Sequence, residues 1–291
     1  MYIMKAICAI IKNEHRFLEE WIDWHLDIGF DAIHLFEDKG SDSHEEICEK
    51  YSNVYLRRYE NDDQLRNILT EQWSSQRQYK LYDWFARESV NTYEWVAFID
   101  LDEFIFFAEG YNLDELCKEF DEYPALLLNW RFMGANGLIR RPHDVLNSYT
   151  REAEFLGEFE VSWWHKSFVN IKRYRGLANL HRALGAVNTL HSRDYTQIYY
   201  GKAWINHYFT KSWEDWCDRI FNRGGTLIGH RKLSDFFQTN ADMVGMKDEL
   251  MSSVADRIPN GTYWLDKERG IIAGGNLKKI TELNKSRKYK E

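Results

Sequence analysis

The stretch that decides the fold is Trp95-Val96-Ala97-Phe98-Ile99-Asp100-Leu101-Asp102-Glu103-Phe104. Its unbroken apolar start reads as a strand buried on both faces, the mark of a central strand in a mostly parallel sheet. That strand delivers two carboxylates two residues apart. In an extended backbone the spacing sets Asp100 and Asp102 on one side, with Leu101 turned back to the core. Paired hard oxygen ligands suit Mg²⁺ or Mn²⁺ shared with a substrate's phosphates. A D-x-D triplet arises by chance about once in a chain of this length, so the strand context carries the reading.

Upstream, the pattern alternates. Ile3 to Ile11 reads as a first strand rather than a signal peptide, since no small-residue cleavage site follows. From His15 to Ile28, apolar residues recur at helical spacing, and Gly29 stands where a C′ residue belongs. Ala32 to Phe36 is a second strand. Ser43 with Glu46 forms a capping box opening a helix to about Tyr51. Val54 to Arg58 is a third strand, and Gln64 to Ser89 has no Pro or Gly and predicts one long helix. Strand–helix alternation of this kind predicts an α/β protein with a mostly parallel sheet flanked by helices.

Ligands of such sheets bind beyond the carboxyl ends of the strands. Lys12-Asn13-Glu14 follows the first strand, where a nucleotide is commonly received; a polar strand-to-helix turn explains it equally. Asp38, with Gly40-Ser41-Asp42, holds the equivalent place after the second strand. An acidic residue there can accept hydrogen bonds from a ribose or a uracil nitrogen, although the same residues are ordinary turn formers.

Across 291 residues, 38 Lys and Arg face 46 Asp and Glu, a net charge of −8, which argues against nucleic acid as a partner. Aromatic residues reach 16%, with 12 Trp, and exclude a disordered chain. They also hint at flat, uncharged ligands such as sugar rings, though cores use aromatics too. Cys8, Cys48, Cys117 and Cys217 are scattered with no C-x-x-C pair, so reduced thiols in a cytoplasmic protein are expected. No apolar run approaches the roughly 18 to 20 residues that span a bilayer.

In order and spacing, Lys12-Asn13-Glu14, the Asp38 turn and Asp100-Leu101-Asp102-Glu103-Phe104 resemble glycosyltransferases of the GT-A fold. Leu18-Glu19-Glu20-Trp21, Trp24-His25 and Gly29 are similar to the opening of families 2 and 92. So are Asn129-Trp130-Arg131-Phe132-Met133-Gly134, His165-Lys166-Ser167, Asn206-His207-Tyr208-Phe209-Thr210-Lys211-Ser212 and Arg223-Gly224. The resemblance covers about residues 1 to 225.

It implies transfer of a sugar from a UDP-sugar to a glycan or lipid-linked acceptor, with Mn²⁺ or Mg²⁺ and inversion at the anomeric carbon. Asp100 and Asp102 would hold the metal, and His207 is the best match for the downstream histidine ligand. His207 reads equally as a core histidine, and His181 and His191 are rivals. Lys12, Asn13, Glu14 and Asp38 would receive the nucleoside. Lys166, Lys211 and Arg223 are candidate cations for the diphosphate. The window that usually holds the catalytic base contains Glu154, Glu158, Glu160 and Asp194, of which Glu158 and Glu160 are the candidates; the pair Glu214-Asp215 lies after His207. Trp130, Phe132, Trp163 and Trp164 are candidates for a sugar floor.

One continuous domain is expected over residues 1–291. Its nucleotide-sugar half would be 1–129, its acceptor half 130–230, and a helical extension 231–291. The tail from Lys278 sums to +4 and suits peripheral contact with the inner face of a membrane. Two other classes compete. A sugar-nucleotide nucleotidyltransferase would carry a Gly-rich loop after the first strand, where this chain has Lys12-Asn13-Glu14-His15. A non-catalytic carbohydrate-binding protein has no need of paired carboxylates at a strand end.

Overall fold

A computed structural model describes residues 4–70, 74–156, 164–189, 201–223, 233, 235–255, 263–266 and 271–274. In chain order the sheet-forming half runs β1 (Lys5–Ile11), α1 (His15–Asp27), β2 (Ala32–Glu37), α2 (Glu45–Cys48), β3 (Val54–Arg58), α3 (Asp63–Ile68), α4 (Ser74–Glu88), β4 (Trp95–Phe98) and β5 (Glu103–Phe107). It continues through α5 (Leu113–Glu119), β6 (Ala125–Phe132), β7 (His165–Asn170), β8 (Leu177–Asn179), β9 (Arg182–Ala183), β10 (Val187–Asn188) and β11 (Ala203–His207). Then come α6 (Trp213–Asp218), α7 (Asp235–Thr239), α8 (Lys247–Ala255), β12 (Tyr263–Asp266) and β13 (Ile271–Gly274). The described residues fall into two compact units, one within 1–133, 144–147 and 160–209, the other within 134–143, 148–159 and 210–291.

The first unit is a mixed α/β layer structure. Its main sheet has the order β3-β2-β1-β4-β7-β6-β11-β5, with β10 beside β6. From β3 to β4 every pairing is parallel, as the strand–helix alternation predicts. Past β4 the sheet is mixed: β7 is antiparallel to both β4 and β6, and β5 is antiparallel to β11. Tyr82, Phe85, Val96, Phe98, Leu127 and Val169 share one core between α4 and the sheet. Burying such side chains contributes about 1.5–3 kcal/mol each before ordering entropy is subtracted.

Helix α1 shows how sequence fixes the site's framework. Trp21, Ile22 and His25 are buried on one stripe. Trp21 Nε1 donates to the Glu103 carbonyl at 2.8 Å, and Trp24 Nε1 to that of Ile105 at 2.9 Å, so α1 clamps β5. Gly29 ends the helix with φ +108°, its N–H on Leu26 O and that of Phe30 on His25 O, both at 3.1 Å. This is the Schellman arrangement expected of a C′ glycine.

Two local expectations are corrected. The long helix over 64–89 is broken: α3 ends at Ile68, and Leu69 leaves helical backbone (ψ +36°). Leu65 and Leu69 join the same core as Leu81 and Phe85, and packing outweighs helix propensity. The Ser43–Glu46 capping box does not form either. Helix α2 starts only at Glu45, because His44 N–H donates to the buried Glu37 carboxylate at 2.6 Å, while Ser43 Oγ accepts from Glu45 N.

The second unit contains α6, α7 and α8 and the antiparallel pair β12–β13. Ser212 caps α6, accepting from Asp215 N at 3.1 Å. No helix among the described residues is long and apolar enough to cross a membrane. The basic tail from Lys278 lies outside the described residues.

Candidate active site

Strand β4 ends at Phe98, and the chain then turns, with Glu103 N–H on Asp100 O at 3.1 Å. The two carboxylates of Asp100 and Asp102 therefore leave a tight turn and not an extended strand, which separates their roles. Asp100 Oδ2 accepts from Lys166 Nζ at 2.7 Å, and Oδ1 from Gln78 Nε2 at 2.6 Å. Asp102 instead faces His207, with 3.6 Å between its Oδ1 and Nε2.

The antiparallel register of β5 and β11 sets His207 directly opposite Glu103. One ligand atom from each of Asp102, Glu103 and His207 lies within 4.8 Å of the others, and all three side chains are buried. Two carboxylates and an imidazole suit Mn²⁺ or Mg²⁺ with further oxygens from a substrate. Glu103 Oε1 is buried and accepts no hydrogen bond, as an atom reserved for a ligand would be. The donor set therefore fits a divalent cation. Glu103 was missed in the sequence because the extended reading of the triplet aims it inward, and only the turn and its partner strand reveal it.

Electrostatics divide the cluster. Burial pushes the Glu103 carboxyl well above the usual carboxylate range, despite the pull of Lys166. At Asp100, burial pushes up but the adjacent Lys166 ammonium outweighs it, holding the group below its ordinary value. Lys166 is raised: burial opposes its charge, and Asp100 and Glu103 more than restore it. Lys166 and Asp100 thus form an ion pair beside Glu103, whose burial disfavours its ionised form. A cation at the cluster would favour the ionised form of Glu103. His165 and His181 are lowered to about 4, by burial first and then by Arg182 and Lys166 respectively, so both are neutral at pH 7.

At the ends of β1 and β2 the two expected turns are stitched together. Asn13 takes left-handed backbone (φ +54°), its N–H on Ser41 Oγ at 3.2 Å and its Oδ1 accepting from Asp42 N at 2.8 Å. Lys12 Nζ donates to Lys39 O at 2.8 Å, and Glu14 N–H to His44 Nε2 at 3.0 Å. Asp38 is buried and held in a fork by Arg77 Nε and Nη2. Arg77 was missed because it comes from α4, far along the chain.

Other candidates fall elsewhere. Lys211 is buried in the second unit. In that unit Asp215 is saturated: Arg141 Nε stands at 2.5 Å, Ser212 Oγ at 2.7 Å and Tyr149 Oη at 3.1 Å, which makes it a structural group and a poor base. Glu158, Glu160, Trp163, His191, Asp194 and the side chain of Arg223 lie outside the described residues.

The family description Glycosyltransferase family 92 matches residues 12–235, which include both stitched turns and the whole carboxylate–histidine cluster. The chain belongs to glycosyltransferase family 92. A family 92 protein of Oryza sativa subsp. japonica is 26% identical over 234 residues, covering 77% of this chain and 36% of its own length. One of Ricinus communis is 26% identical over 232 residues, covering 77% and 38%. The chain thus spans little more than a third of these family 92 relatives. Solved structures are fainter neighbours. Mouse xyloside xylosyltransferase 1 (apo form) has 13% identity and a TM-score of 0.27 over 44% of this chain and 52% of its own. HddC from Yersinia pseudotuberculosis has 10% identity and a TM-score of 0.31, over 71% and 77%. Scores that low carry no argument.

Proposed function

We propose that the chain transfers a sugar from a UDP-sugar to a hydroxyl of a glycan or glycolipid, with a divalent cation held by Asp102, Glu103 and His207. The observation that supports this best is the convergence of those three side chains just past the central strand of a family 92 chain.

In this reading the acceptor oxygen attacks the anomeric carbon from the face opposite the leaving group. The bond from that carbon to the diphosphate oxygen breaks, and UDP leaves with the electron pair. The hydroxyl proton passes to a general base. A cation held by Asp102, Glu103 and His207 would supply electrostatic stabilisation of the leaving diphosphate. The rest is work for the protein. The Asn13 turn and the Asp38–Arg77 fork offer hydrogen-bonding groups for the nucleoside at the ends of β1 and β2. Lys166 holds Asp100 beside the cluster and keeps the local charge near balance.

A screen of UDP- and GDP-sugars for hydrolysis and transfer, with and without Mn²⁺, tests the reading. Manganese-dependent turnover of a UDP-sugar is expected. Absence of both turnover and UDP binding in saturating Mn²⁺ sinks it.

A further inference from the structure

A buried histidine lies between the two turns that close β1 and β2. His44, just before α2, is fully buried, and both of its ring nitrogens are engaged. Nδ1 stands 2.9 Å from Glu37 Oε1, and Nε2 accepts from the Glu14 backbone N–H at 3.0 Å. An N–H can only donate, so Nε2 must present its lone pair there. The ring proton therefore sits on Nδ1, facing the carboxylate, and the contacts select one tautomer of the neutral ring.

Neighbouring groups pin that ring. Glu37, buried at the end of β2, also accepts from His44 N–H at 2.6 Å and, through Oε2, from Arg58 Nε of β3 at 2.7 Å. His15, the first residue of α1, stacks on the imidazole at 4.0 Å, 17° off parallel. Its own Nε2 meets the Ser43 carbonyl at 2.5 Å. The Glu14 N–H that His44 receives follows directly on Asn13, whose backbone is left-handed at φ +54°. Backbone of that kind persists where its surroundings over-determine it, and His44 supplies part of that support.

We propose that His44 is the positioning residue of the nucleoside turn: its neutral ring holds Asn13 and Glu14 in the shape that receives the donor, and a second ring proton releases them. The inference rests on the transferase reading above, in which that turn meets the nucleoside.

A proton on Nε2 turns an acceptor into a donor that faces the Glu14 N–H. One buried hydrogen bond is then replaced by two opposed donors, while the Nδ1 bond to Glu37 survives. The charges around the ring pull both ways. Burial, the largest influence, and His15 disfavour the second proton, whereas Glu37 and Glu14 favour it; the balance holds His44 below its ordinary value. Arg58 Nη1 and Glu45 Oε2 stand 3.5 Å apart at the same corner. The nearby Cys48 thiol is pushed up to about 12, by burial and then by Glu37 and Glu45, and stays uncharged. The ring is therefore neutral at pH 7 and takes its second proton in acid.

The test uses the full chain. Long-range ¹H–¹⁵N NMR on histidine-labelled wild type should show His44 as the Nδ1–H tautomer at pH 7, a result that needs no variant. Two substitutions then separate the ring's two bonds. Asn keeps a donor where Nδ1 stands, whereas Gln reaches the place of Nε2 and can accept from Glu14. His44→Asn should weaken UDP binding at pH 7 and saturating Mn²⁺ by about tenfold in calorimetry, and His44→Gln should recover most of it. Mn²⁺ affinity without UDP should be equal in all three proteins, because its cluster is built from the turn before β5 and from β11. From pH 7 to pH 5, wild-type UDP affinity should fall about twofold or more further than that of His44→Gln, since titration of UDP and of the cluster is common to both. The Nε2–H tautomer in wild type overturns the proposal. So do equal losses from both variants with parallel pH profiles, which would make the ring a space-filling group. Failure of the wild type to bind UDP with Mn²⁺ would instead remove the transferase reading, and the proposal with it.

Discussion

Lys166 Nζ lies 2.7 Å from Asp100 Oδ2, in an ion pair that joins β7 to the turn after the central strand. The same ammonium stands 3.5 Å from Glu103 Oε1 and 5.9 Å from the centre of the Trp130 ring. Lys166 is fully buried, whereas the Asp100 side chain is 36% exposed, so water can recover only the carboxylate's half of the loss. Breaking a buried pair from one side costs about 3–5 kcal/mol, and the exposure of Asp100 trims that to about 2–3. Lys166→Met should therefore lower stability by that amount in urea unfolding. In a double-mutant cycle with Asp100→Asn, the two losses should fall short of additivity by about 1 kcal/mol or more. Simple additivity would mean that the pair carries no coupling energy.

Asp102 and Asp100 should behave differently toward metal. Asp102 belongs to the buried group of three; Asp100 is engaged by Lys166 and Gln78. Asp102→Asn should weaken Mn²⁺ binding by about tenfold or more in titration calorimetry, leaving the unfolding midpoint almost unchanged. His207→Ala should also weaken it. Asp100→Asn should have the smaller effect on metal. Equal losses from Asp100→Asn and Asp102→Asn would restore a symmetric role for the two carboxylates.

Much of this arrangement is legible in the sequence, and the illegible part has a physical cause. The parallel half of the sheet follows from local signals: apolar runs at Lys5–Ile11, Ala32–Glu37 and Trp95–Phe98, with a helical stripe and a C′ glycine between the first two. Asp102 and His207 are named by their order along the chain. Their grouping with Glu103 depends on an antiparallel register between β5 and β11, some hundred residues apart, which no local pattern encodes. Arg77 and Gln78 are hidden for the same reason: helix periodicity gives their face, but not which strand end that face meets. The break at Leu69 reflects tertiary packing overriding a helix-compatible sequence.

Asp215 separates a structural carboxylate from a catalytic one. Arg141, Ser212 and Tyr149 occupy it, and Arg141 also reaches Asp218 at 3.0 Å. Asp215→Asn removes the charge that Arg141 is built around, at a cost of about 3 kcal/mol. The thermal midpoint should drop clearly. At a temperature where the variant is fully folded, kcat for sugar transfer should match wild type. A large fall in kcat with folding intact would instead make Asp215 a candidate base.

Acid should destabilise the chain through histidines that folding keeps neutral. His25 Nδ1 meets Trp21 O at 2.8 Å while Nε2 accepts from Ile105 N at 3.3 Å, so its neutral form satisfies both nitrogens and a second ring proton would face an N–H. Burial, opposed only by the Trp21 carbonyl, lowers it to about 3. His34, bonded to Tyr93 Oη at 2.7 Å and stacked on Tyr55, is lowered to about 4 by burial and then by Arg57. The sign follows from proton counting. An unfolded histidine protonates below about 6.5, and the folded ones do not until near 4 or 3, so the unfolded state binds more protons in between and stability falls as pH drops through that window. For His34, partly exposed, the loss from pH 7 to pH 5 is about 1 kcal/mol. His34→Phe should shrink the wild-type difference between those two pH values by that amount in urea unfolding, because the carboxylate contributions are common to both proteins and cancel. An unchanged difference would show that His34 titrates alike in the folded and unfolded chains.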